Sequence, residues 1–394
     1  MTDFEGGRLD PTRRLDRWRQ RRAAHLAGLR WLGTETTGGQ PVRYVSGELL
    51  VVDEHYDDAR RVVEGLGHRA ADVTTDEPLP GVRRLRAPGL DTLRATRRTR
   101  ERASDGHVAG PNHVLLASPY EQGGPFGRPV AAAAAAIEDS PAGDGAARVV
   151  VMDTGVWADS PLPASRYRVG RNDVETDVDV DRDNVIDSDV GHANFIAGVI
   201  LQGTRQAQVR IVKVLDTFGV GTELELALRI AALTDADVLN LSLGAYTVDG
   251  EPPVLLRWAL NRFLLGRDRV VVAAAGNDGV TDRPFWPAGF AGADVPWRQQ
   301  VVAVAAHDGQ TLCPWSNSGP WVTLAAPGAD VVSTYIHHPD FGTGWAAWSG
   351  TSFATPHVVA LIAEHTASAG SVLSAAKQVM SESPRSIGGY AAVL

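Results

Sequence analysis

Cysteine is almost absent from this chain of 394 residues, in which Cys313 is the single one. Without a second cysteine no internal disulfide can form, and no cysteine cluster can bind a metal. Long apolar runs are absent too, since the longest, at residues 130–137, is mostly alanine and too short to span a bilayer. The N-terminus has arginines with no apolar run behind them, so the core of a secretory signal peptide is missing. These absences predict a cytoplasmic protein without a membrane span.

Positive charge is also in deficit, with 38 Lys and Arg against 47 Asp and Glu and a formal net charge of -9. This balance argues against a general nucleic-acid binder. Neither a G-x-G-x-x-G turn between a strand and a helix nor a G-x-x-x-x-G-K-[ST] phosphate loop occurs, so nothing favours a nucleotide-binding fold. What the chain does have is an apolar share of 44%, enough to bury the core of one large domain and a smaller one.

Four regions are predicted along the chain. They are a basic N-terminal extension at 1–45, a small α+β domain at 46–120, a linker rich in Gly, Pro and Ala at 121–147, and a larger domain at 148–394. Within the extension, Asp10 and Pro11 open a predicted helix over 10–31. We expect its apolar face to pack on the protein, although a basic amphipathic helix also suits a membrane surface or an acidic partner.

Strand and helix signals alternate in both domains. In the small domain they predict strands at 47–52, 81–86 and 112–117 and helices at 57–66 and 90–102. In the large domain they predict strands at 149–152, 211–215, 238–241, 270–274 and 301–305 and helices at 224–233, 253–265 and 352–367. This second series indicates an α/β fold, a mostly parallel sheet with helices on both faces.

Four segments of the large domain carry the side chains that peptide hydrolysis by a serine requires: a nucleophile, a base, an acid and an oxyanion donor. VVVMDTGV places Asp153 after a buried strand, and VGHANFIAGVI places His192 at the start of an apolar helix. VVVAAAGNDG ends a strand at Asn277, and SGTSFATPHVVA places Ser352 at the start of a buried helix. The positive end of that helix dipole favours negative charge on an adjoining oxyanion.

These segments resemble the subtilisin family in the chain order Asp, His, Ser, and SGTSFATP is the most specific of them. The resemblance covers residues 148–381 and implies a serine endopeptidase that needs no cofactor for its chemistry. It implies that Asp153 orients His192, that His192 is the general base and then acid, that Ser352 forms an acyl-enzyme, and that Asn277 completes the oxyanion hole. Two departures, Ala193 and the pair Asn194-Phe195 after the histidine, keep open a catalytically silent peptide-binding homologue.

The same resemblance implies where a peptide or protein substrate binds. The pocket walls and the edge that pairs with an extended substrate would be formed by Ser242, Leu243, Gly244, Ala274, Gly276, Gly219 and Gly221. Residues 46–120 resemble a subtilisin propeptide, so we expect residues 112–118 to occupy the cleft and inhibit the enzyme, with a cleavage site around 118–120. The alternative is a permanent domain that is never removed.

Alternating carboxylates between Asp153 and His192 predict a calcium loop. The candidate ligands are Asp179, Asp181, Asp183 and Asp187, with Asp177 before them. Asn184 replaces the glycine of an EF-hand loop and no glutamate closes it, so a solvated acidic loop that attracts basic substrates is the alternative. His337 and His338 have no third ligand at a suitable spacing and are predicted to lie in a surface loop, and Cys313 is predicted to be a small core residue.

Overall fold

The structure is a computed structural model that describes residues 22–117, 128–383 and 385–393. Its N-terminal elements are helix α1 (22–28), β1 (Leu32–Thr37), β2 (Gln40–Val45), β3 (Glu48–Val52), α2 (Tyr56–Gly65), β4 (Thr74–Leu79), β5 (Val82–Arg86), α3 (Thr92–Ala103), β6 (Ala109–Gly110) and β7 (Val114–Ala117). β1 and β2 form a hairpin. The strands β4, β5, β3 and β6 form an antiparallel sheet in that order.

The elements that follow are β8 (Val130–Ala131), β9 (Ala147–Asp153), β10 (Tyr167–Val169), α4 (His192–Gly203), β11 (Ala207–Lys213), β12 (Val220–Thr222), α5 (Glu223–Ala231), β13 (Val238–Leu241), β14 (Leu243–Gly244), α6 (Val254–Leu264), β15 (Val270–Ala274), β16 (Val301–His307), β17 (Leu324–Pro327), β18 (Val331–Thr334), β19 (Trp345–Trp348), α7 (Thr351–Ala369), α8 (Val372–Ser381), β20 (Arg385–Ile387) and β21 (Tyr390–Ala392). Within the described residues the main sheet has the order β10-β11-β9-β13-β15-β16-β17-β21-β20, and β20 is its antiparallel strand.

The central strands are buried on both faces, as their uninterrupted apolar sequences predict. In β15, Val271 and Ala273 pack in one cluster with α5 and α6, while Val270 and Val272 pack in another with α4, α7 and α8. Helices therefore cover both faces, and the predicted α/β fold is confirmed. The parallel strands point their carboxyl ends to one edge of the sheet, where β9 ends at Asp153.

The N-terminal region departs from the prediction in two ways. The helix expected over 10–31 ends at residue 28, because residues 29–31 turn the chain into the hairpin and Ser46 N–H donates to the Trp31 carbonyl at 2.7 Å. Residues 1–21 lie outside the described residues. The hairpin itself was missed, since no strand was predicted between residue 31 and residue 45.

The predicted linker is only partly a linker. β8 lies inside it and pairs antiparallel with β19 of the large domain, and Ala132 N–H donates to the Trp345 carbonyl at 3.0 Å. The predicted cleavage region at 118–120 lies outside the described residues.

Among the described residues, no single helix combines the length and apolar composition of a membrane span. The helices α7 and α8 have that length and composition only when taken together, and they are bent by 115° at their junction.

Candidate active site

Asp153 and His192 meet where β9 ends and α4 begins. The imidazole Nδ1–H donates to Asp153 Oδ1 at 2.7 Å, and both side chains are fully buried. Thr154 N–H donates to the same oxygen at 2.7 Å, which fixes the carboxylate. The imidazole also packs edge-on against Trp348 with 5.6 Å between ring centroids. These contacts fix both the orientation and the tautomer of the ring, so that its lone pair is on Nε2.

Nε2 of His192 is buried and has no hydrogen-bond partner among the described residues. Burial on its own lowers the pKa of this imidazole, but the neighbouring Asp153 charge and hydrogen bond outweigh that effect and the net pKa is raised above its ordinary value. A neutral imidazole with a free Nε2 and a carboxylate behind it is arranged to accept a proton as a general base.

Ser352 lies in the first turn of α7 and is buried. Its hydroxyl donates to the Ser242 carbonyl at 3.1 Å, and the Ser242 hydroxyl donates to the Ser352 carbonyl at 2.9 Å. The next residue, Phe353, packs on the His192 ring with 5.2 Å between ring centroids. The helix therefore brings its N-terminal serine to the same edge of the sheet as the histidine.

Asn277 follows β15 and is held by the residue before the serine. Its Oδ1 accepts hydrogen bonds from the backbone N–H and the hydroxyl of Thr351, both at 2.8 Å. Its Nδ2 is buried without a partner among the described residues. Because Thr351 occupies the oxygen, the amide offers its N–H donors toward the start of α7, where an oxyanion beside Ser352 would lie.

The strand β7 of the N-terminal region lies between β12 and β14, antiparallel to both. Leu115 pairs with Gly221, Leu116 pairs with Gly244, and Ala117 pairs with Leu243. The Ala117 N–H donates to the Gly219 carbonyl at 2.9 Å. Residues that the resemblance assigns to substrate binding thus surround a segment of the chain itself, bonded as an extended peptide would be.

Ala274 and Gly276 lie where β15 ends. Ala274 ends β15 and is buried. Gly276 has a φ of +100°, and a Cβ there would lie 2.3 Å from Asn317 Nδ2 and 3.1 Å from the Phe285 ring. The left-handed backbone and the crowding both require glycine at this position.

Side chains of β7 alternate between the two sides of the strand. Leu115 and Ala117 face the core of the large domain. Val114 and Leu116 face outward and pack with Leu26 of α1 and Phe218. The N-terminal helix therefore covers the strand from outside, an arrangement that sequence reasoning missed because the strand and its cover are far apart in the chain.

A buried histidine–glutamate hydrogen bond anchors the chain before β7. His113 Nδ1 lies 2.7 Å from Glu223 Oε2, and the other glutamate oxygen accepts from the backbone N–H groups of Leu255 and Leu256 at 2.6 and 3.3 Å. The side chain of Asn112 accepts from the Leu224 N–H at 3.1 Å. The N-termini of α5 and α6 are thus joined to the residues that lead into the cleft.

Three of the four predicted calcium ligands converge. Oxygens of Asp179, Asp181 and Asp187 lie within 4.8 Å of one another. Asp183 is not in this group, since its carboxylate accepts from the Val185 N–H at 3.1 Å while its own N–H donates to Asp179 at 2.9 Å. Burial, and to a smaller extent the charges of the two neighbouring carboxylates, raise the pKa of Asp187 to about 6, against the lowering by hydrogen bonds from Thr217 and Val180.

The departures after the histidine have a structural basis. Ala193 is fully buried in the core around α4, so its methyl group does not line an open cleft. Asn194 accepts from the Trp157 N–H and donates to the Trp157 carbonyl and to Ser160, each at 2.9 Å. Asn194 therefore fixes the loop that follows β9.

The remaining predicted residues lie where expected. The side chain of His337 is 44% exposed and lies 2.8 Å from Asp159, and His338 is also at the surface. Cys313 is buried, and burial raises the pKa of its thiol to about 12. Neither histidine belongs to a group of potential metal ligands among the described residues.

Comparison with known proteins agrees with this geometry. The model of the subtilase family matches residues 144–381. A thermophilic serine proteinase of Bacillus sp. is 34% identical over 237 residues, which are 56% of this chain and 52% of that protein. Thermitase of Thermoactinomyces vulgaris is 34% identical over 54% of this chain and 72% of its own length, and an intracellular serine protease of Paenibacillus polymyxa is 31% identical over 55% and 65%.

Among solved structures, a cold adapted subtilisin-like serine proteinase superposes with a TM-score of 0.48 at 23% identity, covering 63% of this chain and 89% of the other. The chain spans between about half and three quarters of the length of the relatives named above. The family model covers more than half of the chain and includes every catalytic candidate, and so the chain belongs to the subtilase family.

Proposed function

We propose that this chain hydrolyses peptide bonds through Asp153, His192 and Ser352. The observation that carries the proposal is the buried His192 imidazole, bonded to Asp153 on one side and offering Nε2 on the other. Nε2 takes the proton of the Ser352 hydroxyl as its oxygen attacks the substrate carbonyl. Asn277 Nδ2 and the Ser352 N–H donate to the oxyanion, His192 returns the proton to the leaving amine, and water then cleaves the acyl-enzyme.

A fluorophosphonate probe tests the nucleophile, because only an activated serine reacts with it. We expect one probe per active chain, attached to the peptide that contains Ser352, and parallel hydrolysis of a casein substrate. Ser352→Ala removes one buried hydroxyl and should abolish both signals without a lower melting temperature. If the folded wild-type chain takes up no probe and cuts no substrate, it is a silent peptide-binding homologue instead.

We further propose that the N-terminal domain inhibits the enzyme by keeping β7 in the substrate cleft. Three observations support this: the ladder on both edges of β7, the cover by α1, and the buried His113–Glu223 pair. A substrate that binds as an extended strand would need the same backbone groups of β12 and β14. The two occupants would therefore compete.

Leu116→Lys in the full chain tests the inhibition. Leu116 is 5% exposed, so the change removes about 1.5 to 3 kcal/mol of apolar burial and adds a charge beside Leu26. We expect the initial rate on a small peptide substrate to rise by about tenfold, the population shift that about 1.4 kcal/mol produces. Leu265→Lys, at a leucine that is 52% exposed on the large domain, is the matched control and should leave the rate unchanged. Equal rates in all three proteins would remove the inhibitory role.

We also propose that Asp179, Asp181 and Asp187 bind a structural calcium ion. Three carboxylates that converge within 4.8 Å fit a hard divalent cation, and Asp187 is buried where an unneutralised charge is costly. Binding to the folded state alone should raise the melting temperature with added calcium and lower it with EGTA. Identical melting curves would leave the loop a solvated acidic surface.

The single buried cysteine supports the further proposal that the enzyme works in a reducing compartment such as the cytoplasm.

A further inference from the structure

Asp189 is a buried carboxylate beside the cleft that the proposed mechanism does not use. Its side chain is fully buried, and the Ser188 hydroxyl donates to Oδ2 at 2.5 Å. Oδ1 has no hydrogen-bond partner among the described residues. A buried carboxylate with one oxygen unsatisfied is stabilised by a cation placed against it.

Arg22 of α1 supplies a cation in the full chain. One guanidinium nitrogen lies 3.8 Å from Asp189 Oδ2. Another donates to the carbonyls of Ala117 and Gly219 at 2.9 and 3.4 Å. The guanidinium is itself buried, with 6% of the side chain exposed. It therefore fills the space between the end of β7 and Asp189, and it comes from a segment that covers the cleft strand.

Gly219 shows how close the Ala117 side chain lies to Asp189. Gly219 has a φ of +69°, and a Cβ built on it would lie 2.7 Å from the carboxyl carbon of Asp189 and 3.0 Å from the methyl carbon of Ala117. The methyl group and the carboxylate thus meet at one glycine that has no side chain to separate them. A longer side chain at the position of Ala117 would extend from this point toward Asp189.

The register relates that position to the bond that is cut. Ala117 pairs with Leu243, and the Ser352 hydroxyl donates to the carbonyl of Ser242, the residue before Leu243. In an antiparallel ladder, the substrate residue that follows the Ala117 position would lie opposite Ser242 and beside the nucleophile. The Ala117 position is therefore the second residue before the scissile bond, P2.

We infer that Asp189 is a specificity-determining residue that selects arginine or lysine at P2 of the substrate, and that Arg22 takes the place of this side chain while β7 occupies the cleft. The inference rests on the proposed endopeptidase function. It differs from a purely structural role for the Arg22–Asp189 pair, in which the ion pair would hold α1 in place and the substrate's P2 side chain would be irrelevant to the rate.

Two fluorogenic peptides test the inference on the full chain: acetyl-Leu-Leu-Arg-Ser and acetyl-Leu-Leu-citrulline-Ser, each with a C-terminal aminomethylcoumarin. Citrulline has nearly the shape of arginine without its charge. Any fraction of chains closed by β7 lowers both rates equally, so the ratio of the two kcat/KM values is independent of inhibition. We expect a ratio of about tenfold or more for arginine, as for one charge-assisted hydrogen bond in a buried site.

Asp189→Asn keeps the shape of the side chain and should lower the ratio to within about twofold of one, since the charge is lost. Asp216→Asn is the matched control, because that carboxylate also lies at the Gly219 turn but is 42% exposed, and it should keep the wild-type ratio. Even if Asp189→Asn folds poorly, the ratio of the two kcat/KM values measured with the wild-type chain tests the inference. Equal hydrolysis of both peptides by wild type would overturn the inference and leave the protease function intact. No hydrolysis of either peptide, together with no fluorophosphonate labelling, would overturn both.

Discussion

Replacing Asn277 by alanine separates transition-state stabilisation from substrate binding. The change removes the Nδ2 donor and leaves the Ser352 N–H as the remaining donor to the oxyanion. We expect kcat to fall by about 10²- to 10³-fold, a loss known for removal of the corresponding donor in subtilisin and adopted here for its relative. KM should change little, because the donor acts on an oxygen that carries negative charge only in the transition state.

The same substitution has a cost in stability that follows from the local contacts. Asn277 Oδ1 accepts from the N–H and the hydroxyl of Thr351, and both donors lose their acceptor in the alanine variant. A buried donor without a partner costs about 1 to 3 kcal/mol, so calorimetry should show a lower melting temperature unless water enters. Kinetics must therefore be measured well below the melting temperature of the variant.

Active-site titration with a fluorophosphonate gives the concentration of competent enzyme, and peptide hydrolysis then gives kcat and KM per active site. Thr351→Ser is the control, since it keeps both hydrogen bonds to Asn277 and should keep nearly all of kcat. An Asn277→Ala enzyme with wild-type kcat per active site would place the oxyanion donor elsewhere. A rise in KM that accounts for the whole loss in kcat/KM would show that the amide binds the ground state instead.

Two further predictions concern protonation. The pKa of His192 lies above its ordinary value and the base must be neutral, so kcat/KM should fall as the pH drops through a pKa above about 6.5. Asp189→Asn should move this acidic limb of the pH profile to lower pH, because the charge of Asp189 helps to raise the pKa of His192. An acidic limb at the same pH in the variant would contradict this coupling. The pKa of Asp187 is raised to about 6, so the calcium-free folded protein binds more protons than the unfolded chain and loses stability as the pH rises from about 4 to 6. Asp187→Asn should therefore stabilise the protein in EGTA at pH 7 by up to about 3 kcal/mol and destabilise it in calcium. Equal changes in stability in both buffers would exclude the ion.

The sequence predicted the central strands of the large domain well because these strands are apolar on both faces. β13 and β15 have the bounds expected from their apolar runs, and α6 and α7 differ from prediction by one or two residues at their ends. Catalytic candidates could be named because strand ends and helix starts place them at one edge of the sheet. Periodicity and local motif were sufficient there.

Pairings between distant segments could not be predicted in this way. Nothing near Arg22 in the chain indicates that it reaches Asp189, and Asp189 was not among the candidate residues that the sequence suggested. Glu223 at the start of α5 has the pattern of an ordinary first-turn acid, yet it is fully buried against His113. Both pairs depend on the three-dimensional position of the N-terminal region, which local patterns do not encode.

The short strands on either side of β7 have a consequence for handling the protein. With β7 in place, the backbone groups that β12 and β14 turn toward each other are paired. Once β7 leaves, each strand becomes an open sheet edge, and open edges bind any extended chain of suitable shape. In a concentrated sample without substrate the nearest such chain is the β7 of a second copy, and exchange of identical strands would link two copies into a swapped dimer. Variants that weaken β7 should therefore be purified dilute or with a peptide inhibitor, since the edge that binds substrate is also the edge along which copies would associate.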